Sequence, residues 1–236
     1  MDIHKPKPWN GVREFLQEIG TIVIGVLIAL AGEQAVLRLE WDHKVRAAEE
    51  AMRAELLVDD GPQVYQRAAM HDCLTARLDA IRAGVETGAS RAELVKLIDG
   101  YHLDFLTYDS LAHDDATHAG VADHMSQAAL ERWTKAYSAM PSMDRANDQE
   151  AQDLARLRAL RGVGGPLSEA EQTHVLEAVE ALRVEEHKMA NSAAYILPEL
   201  RRLGSFDPTR MKLFLDNART WYGPACIHDK PDGWRP

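Results

Sequence analysis

The chain has 236 residues, of which 46% are hydrophobic and 27% are charged, a balance typical of folded rather than disordered proteins. Its formal net charge of -10 argues against general nucleic-acid binding, which needs clustered Lys and Arg to displace counterions from phosphates. Aromatic residues make up only 6% of the chain, whereas Ala, Leu, Glu and Arg are abundant, so the composition predicts an all-α protein.

An uncharged run from Ile19 to Gly32 is the first predicted helix, and a glutamate brackets it on each side. The run is compatible with a cleaved signal peptide, because basic residues precede it and Ala29-Leu30-Ala31 fits a cleavage pattern, or with a buried core helix. Apolar residues surround the helix on all sides, and this favours a membrane anchor. We predict a transmembrane helix over residues 14–37, preceded by a short cytoplasmic tail over residues 1–13.

One face of this predicted helix carries small or polar residues at helical spacing. Glu18, Thr21, Gly25 and Ala29 share this face, and small residues let helix backbones approach closely in lipid. We therefore predict that the face contacts a helix of a second copy or of another membrane-protein subunit, while the bilayer surrounds the rest. Glu18 would lie in that contact, or alternatively it would reach to the lipid headgroups.

The run "WNGVREFLQEIGTIVIGVLIALAGEQAV", followed by "EWDHKVRAAEEAMRAEL", resembles the N-terminus of uncharacterised single-pass membrane proteins of alphaproteobacteria. It is also similar to a broader group of unknown function that opens with a Glu-Ile-x-x-x-x-x-Gly-Val-Leu-Ile-Ala-Leu helix. The resemblance covers about the first quarter of the chain. It implies a membrane anchor and no particular activity.

Beyond the anchor the pattern predicts further helices throughout. No Pro or Gly interrupts the chain before Gly61-Pro62, so we expect the anchor to continue as a long amphipathic helix that ends there. The remaining predicted helices cover about 63–85, a short segment from the capping box Ser90-x-x-Glu93, 110–139, 143–161, a long segment from Ser168 to Pro198, and Asp207 to about Tyr222. We predict that residues 38–222 form an antiparallel helical bundle, followed by an irregular tail over residues 223–236.

The two cysteines, Cys73 and Cys226, are predicted to form a disulfide if the helical domain lies in an oxidising compartment. Two alternatives remain open from the sequence. The thiols could be free, or they could bind zinc together with His71 and His228.

Topology is predicted from the basic residues around the anchor. Lys and Arg in the short N-terminal tail favour a cytoplasmic N-terminus, although Arg38, Lys44 and Arg46 follow the span and weaken the asymmetry. We expect a single-pass protein of the bacterial inner membrane with its C-terminal domain in the periplasm. The sequence contains no phosphate-binding glycine loop and no catalytic constellation, and it predicts no cofactor. The leading hypothesis is an interaction or scaffold role, by self-association or as an accessory subunit of a larger membrane complex.

A metal site is the alternative functional hypothesis. Asp115 and His118 would share the inward face of the predicted helix over 110–139, and Glu186 lies on the inward face of the long helix after Ser168. If these three side chains converged, they could make the protein a periplasmic metal-binding protein or a metal-dependent enzyme. A buried, hydrogen-bonded polar network would also account for them.

Overall fold

The computed structural model describes residues 11–103, 106–162 and 164–228, and over these ranges the protein is all-α and contains no strand, as the sequence predicts. Short 3₁₀ segments occupy Ala122–His124, Ala159–Gly162 and Pro224–Cys226, and a π-helical segment occupies Glu55–Asp60. The α-helices are α1 (Val12–Ala54), α2 (Gly61–Glu86), α3 (Arg91–Asp99), α4 (Leu111–His118), α5 (Gln127–Tyr137), α6 (Met140–Arg158), α7 (Glu169–Leu203) and α8 (Pro208–Tyr222).

The N-terminal unit covers residues 1–47, and its described part is the first portion of α1. Large apolar side chains such as Ile22, Ile28 and Leu30 are exposed on this helix. Among the described residues, one stretch of helix near the N-terminus is long and apolar enough to cross a membrane, and none of that stretch is buried within the protein. Most of the predicted tail over residues 1–13 lies outside the described residues.

The prediction that Gly61-Pro62 ends the first long helix is wrong. The chain stays helical through a π-helical segment, in which the Gly61 N–H donates to the Leu56 carbonyl five residues earlier. Pro62 has no N–H, and in a regular α-helix its ring would clash with the carbonyl four residues before it. The wider π-turn carries the helix past this proline, and Gly61 fits because a Cβ there would lie 2.4 Å from the Phe206 ring.

The second unit, residues 48–236, contains the core, in which α2 and α7 run antiparallel. Arg67 pairs with Glu186, whereas Arg82, four turns further along α2, pairs with Glu180, which comes earlier on α7. This order of pairs along the two helices confirms the predicted antiparallel packing.

Helix α6 also runs antiparallel to α7. Ser142 near its start lies 3.4 Å from Ser192, while Leu160, just beyond its end, lines a cleft together with Val175. Glu186 is buried as predicted, and it lies in a buried stripe of α7 at steps of three and four that consists of Val175, Val179, Leu182, Glu186, Met189, Ala193 and Ile196.

Side-chain caps define several helix starts as predicted. Ser90 and Glu93 form a capping box at α3, and Ser168 and Glu171 form another at α7. Pro198 does not end α7, which continues through it to Leu203.

The single helix predicted over residues 110–139 is wrong, because the chain breaks between α4 and α5. Gly120 adopts a left-handed conformation with φ of +70°, which side-chain-bearing residues rarely adopt. Ser126 then starts α5 by accepting a hydrogen bond from the Ala129 N–H. The helix predicted from residue 143 starts earlier, so that Pro141 lies in the first turn of α6. A proline is tolerated there because the N–H groups of the first turn have no partner within the helix.

Cys73 on α2 forms a disulfide with Cys226, as favoured by the sequence, so the free-thiol and zinc alternatives are wrong. The bond joins residues 153 positions apart, with their Cα atoms separated by 5.1 Å. The backbone N–H of His228 donates to the carbonyl of Ala69, which adds a second link between the tail and α2. The end of the predicted tail, residues 229–236, lies outside the described residues.

Candidate functional site

A buried arginine lies where α2, α6 and α7 meet. Nη2 of Arg67 donates hydrogen bonds to Oε1 of Glu150 on α6 and to Oε2 of Glu186 on α7. The three side chains are 4%, 0% and 2% exposed, respectively. Charged residues are rarely buried this completely unless they are paired, so the ion pairs explain how these groups are tolerated in the core.

His71 links this arginine to the surface. Its Nδ1 lies 3.0 Å from Oε1 of Glu186, and its side chain is 14% exposed. His71 and Glu186 also line a surface cleft of about 450 Å³, together with the polar residues Arg183 and Lys188. We refer to Arg67, His71, Glu150 and Glu186 as the Arg67 cluster.

The Arg67 cluster contains two carboxyl groups for one guanidinium. Burial raises the pKa of Glu150 to about 8, although the charge of Arg67 acts in the opposite direction and that of Glu186 adds to the rise. Burial alone would lower the pKa of Arg67, but the two glutamates hold it well above its ordinary value. Burial therefore favours the protonated form of Glu150 near neutral pH, which avoids a second buried negative charge beside Arg67.

Two buried tyrosines extend this polar region. Burial, reinforced by Glu150, raises the pKa of Tyr101 and of Tyr108 well above the ordinary tyrosine value. Among the described residues, neither hydroxyl has a hydrogen-bond partner, and the same holds for Nε of Arg67 and Oε2 of Glu150. Buried polar atoms without partners lower stability, so this region resembles a specificity-determining or functional site more than an optimised core.

The predicted convergence of Asp115, His118 and Glu186 is wrong. Asp115 and His118 are exposed on α4, whereas Glu186 is buried in the Arg67 cluster. The buried residue of α4 is Ala116, so Asp115 and His118 lie on the exposed side with Leu111. The break at Gly120 also separates α4 from the buried face of α5, with which the prediction had joined it. Over the described ranges, no group of three or more His, Cys, Asp or Glu side chains is placed to hold a metal ion.

The predicted helix-contact residues Glu18, Thr21, Gly25 and Ala29 are all exposed on α1. The Thr21 hydroxyl donates to the Gln17 carbonyl of its own helix at 2.9 Å. A Cβ added at Gly25 would meet no described atom within 4 Å. The face is therefore open to a partner within the described part of the chain.

Sequence reasoning found Glu186 but missed Arg67 and Glu150. A signal was present, because Glu150 falls in line with the buried residues of α6 at steps of three and four. Arg67 and His71 lie at the same kind of spacing between Val64 and Leu74 on α2. Each member of the Arg67 cluster is thus a titratable residue at a position where the helical spacing of its neighbours predicts burial.

Replacing Arg67 by Met should destabilise the protein by about 3–5 kcal/mol, because two carboxyl groups would remain buried without their cation. The free energy of unfolding from urea titrations measures this loss. Arg82→Met is the matched control, since Arg82 lies on the same helix and pairs with two glutamates but has a side chain that is 43% exposed, and it should destabilise the protein far less than Arg67→Met. Equal losses for the two variants would contradict this account of the cluster.

Glu150→Gln should flatten the pH dependence of stability. Because folding raises the pKa of Glu150 from 4.5 to about 8, the folded state binds more protons than the unfolded state between these values, and stability falls as pH rises through that range. One such proton contributes a slope of up to about 1.4 kcal/mol per pH unit. Urea titrations from pH 5 to 8 should show a smaller decline for Glu150→Gln than for the wild type. As a control, Glu131→Gln changes an exposed residue and should keep the wild-type dependence of stability on pH. If Glu150→Gln also kept that dependence, Glu150 could not be the group that binds the proton.

Comparison with protein-family models, with curated proteins and with solved structures finds no match to this chain. The resemblance of its first quarter to single-pass proteins of alphaproteobacteria is not tested by these comparisons and stays a prediction. Functional inference for this protein therefore rests on the geometry of the described residues.

Proposed function

We propose that the protein is a single-pass membrane protein with an interaction role, in which α1 anchors the chain and packs against another transmembrane helix. The helical unit is then held at the membrane surface, in the periplasm of a bacterium. The partner is a second copy of the chain or a subunit of a larger inner-membrane complex.

The exposed apolar surface of α1 supports the anchor. Side chains such as Ile22, Ile28 and Leu30 are more than half exposed, and they lie on different sides of the helix. Exposing such an apolar surface to water is unfavourable, whereas the hydrocarbon core of a bilayer, about 30 Å thick, accommodates a helix of about 20 apolar residues.

The residues that follow the apolar stretch support an interfacial position. The ammonium of Lys44 lies 4.5 Å from the centre of the Trp41 ring and 2.7 Å from a carboxylate oxygen of Glu40. Tryptophan and lysine are enriched at the boundary between lipid and water. These three residues thus fit the place where α1 leaves the membrane.

The disulfide supports the periplasmic side. Disulfides persist in oxidising compartments such as the bacterial periplasm and are rare in the cytosol. The Cys73–Cys226 bond therefore favours a topology in which the helical unit is on the far side of the inner membrane from the cytoplasm.

The observation that carries the interaction role is the exposed face of Glu18, Thr21, Gly25 and Ala29. Small side chains at this spacing allow close contact between helices in lipid, and the space next to Gly25 is open. A carboxylate within a membrane is best tolerated where it faces protein, which agrees with Glu18 lying on the same face.

Gly25→Leu should weaken this association, because the larger side chain would separate the two helix backbones. Full-length protein in mild detergent should shift to lower mass in light scattering, or lose a membrane protein that copurifies with the wild type. Gly20→Leu is the matched control, since Gly20 is in the same helix but on the opposite side, and it should behave like the wild type. A monomeric wild type with no copurifying membrane protein, or equal effects of the two substitutions, would contradict the proposal.

A further inference from the structure

A second candidate site is an acidic cleft beside the π-helical segment. The cleft has a volume of about 730 Å³ and lies between Glu55–Asp60, residues 107–109 and α4. Alanine side chains, together with Leu111 and Val121, form its apolar walls. Five carboxyl-bearing residues also line it, namely Glu55, Asp59, Asp60, Asp109 and Asp115. No Lys, Arg or His is among the described residues that line the cleft.

Asp60 is the buried acidic group of this cleft. It is 1% exposed, and its Oδ2 has no hydrogen-bond partner among the described residues. Its carboxyl group accepts a backbone hydrogen bond from Asp109. A carboxyl oxygen that is buried, unpartnered and placed at a cleft costs stability, and a bound donor would relieve that cost.

The other acidic groups differ in how strongly they are already engaged. Glu55 accepts a hydrogen bond at 2.9 Å from the Ala112 N–H through Oε2, whereas its Oε1, like Oδ2 of Asp60, is buried without a hydrogen-bond partner among the described residues. Asp59 pairs with Arg210 at 3.3 Å. Asp115 is exposed at the rim. The buried floor at Asp60 and the rim at Asp115 are thus the positions where added positive charge would be best accommodated.

The π-helical segment produces this arrangement. Asp59 and Asp60, at the end of this segment, both line the cleft. The Leu57 carbonyl, whose partner five residues on would be Pro62 without an N–H, accepts instead from the Asp207 N–H at 2.9 Å. Such π-turns in otherwise regular helices are frequent at functional sites, and each lowers helix stability. The turn is thus a second, independent feature at the same position as Asp60.

We propose that the acidic cleft binds an aliphatic diamine, with one ammonium group on Asp60 and the second towards Asp115. An ammonium group offers three hydrogen-bond donors and a compact positive charge, and the methylene chain would lie along the alanine walls. A bare metal ion is a poorer fit, because within the described ranges no three carboxylates are grouped as metal ligands. This site is independent of the membrane anchor and of the proposed helix contact.

Binding of a cation at Asp60 is expected to release a proton from its carboxyl group. Burial, with the charge of Glu55 as the next largest cause, raises the pKa of Asp60 to about 8; the backbone hydrogen bond from Asp109 opposes this rise, and the charges of Asp109 and Asp59 add to it. The nearby hydroxyls of Tyr108 and Tyr137 stay protonated at neutral pH. A bound ammonium favours the ionised carboxylate, so binding near pH 7 releases a proton.

Isothermal titration of the full-length protein with 1,4-diaminobutane, at fixed ionic strength, tests the site. We expect binding that weakens at least tenfold in Asp60→Asn, and proton release that appears as a different heat in buffers of different ionisation enthalpy. Asn keeps the acceptor for the Asp109 N–H, and an unchanged thermal melt verifies that this variant is folded. Asp216→Asn is the matched control, because Asp216 lies on α8 outside the cleft with a side chain that is 44% exposed, and this variant should bind like the wild type.

Two further titrants separate specific from general charge effects. 1,4-Butanediol, which has the same chain and no charge, and magnesium chloride should both bind at least tenfold more weakly than the diamine. Equal affinity of wild type and Asp60→Asn for the diamine would overturn the proposal. So would equal binding of magnesium, since that would indicate only general attraction of cations to an acidic surface.

Discussion

The packing of the helical unit depends on one buried arginine between two buried glutamates. Arg67, Glu150 and Glu186 come from three different helices, and each loses most of its contact with water on folding. Such a triad adds little net stability over apolar residues of the same volume, but removing one partner leaves an uncompensated charge in the core. The contact therefore constrains the register of α2 and α6 on α7 more than it strengthens the fold. Because the triad has two carboxyl groups for one guanidinium, its formation is linked to the binding of a proton by Glu150, whose pKa is raised on burial.

Helix α2 carries most of the features that organise the unit. It begins at the π-helical segment, contributes Arg67 and His71 to the Arg67 cluster, and holds the tail through the Cys73 disulfide. In both the acidic cleft and the Arg67 cluster, burial raises the pKa of a carboxyl group to about 8.

Helical periodicity predicted much of this fold, because packing on a core requires apolar residues every three or four positions. The buried face of α7 followed directly from this periodicity, and the helix starts at Ser90 and Ser168 followed from the Ser-x-x-Glu pattern of a capping box. Prediction was wrong where a local backbone state decided the outcome. The left-handed Gly120 split one expected helix into two, and the π-turn let a helix pass through Pro62. The metal site predicted at Asp115 and His118 was wrong because both residues lie on the exposed side of α4, which the break at Gly120 separates from the buried face of α5. Arg67 and Glu150 could be suspected from their spacing, but only the packing of three helices brings them together.

We propose that α1 anchors a disulfide-linked helical unit on the far side of a bacterial inner membrane. Treatment of intact cells with a thiol reagent that does not cross the inner membrane, before and after reduction, tests it directly. The account predicts that Cys73 and Cys226 are labelled only after reduction and from outside the inner membrane. Labelling without reduction, and only after the inner membrane is broken, would place the unit in the cytoplasm with free thiols and would contradict the account.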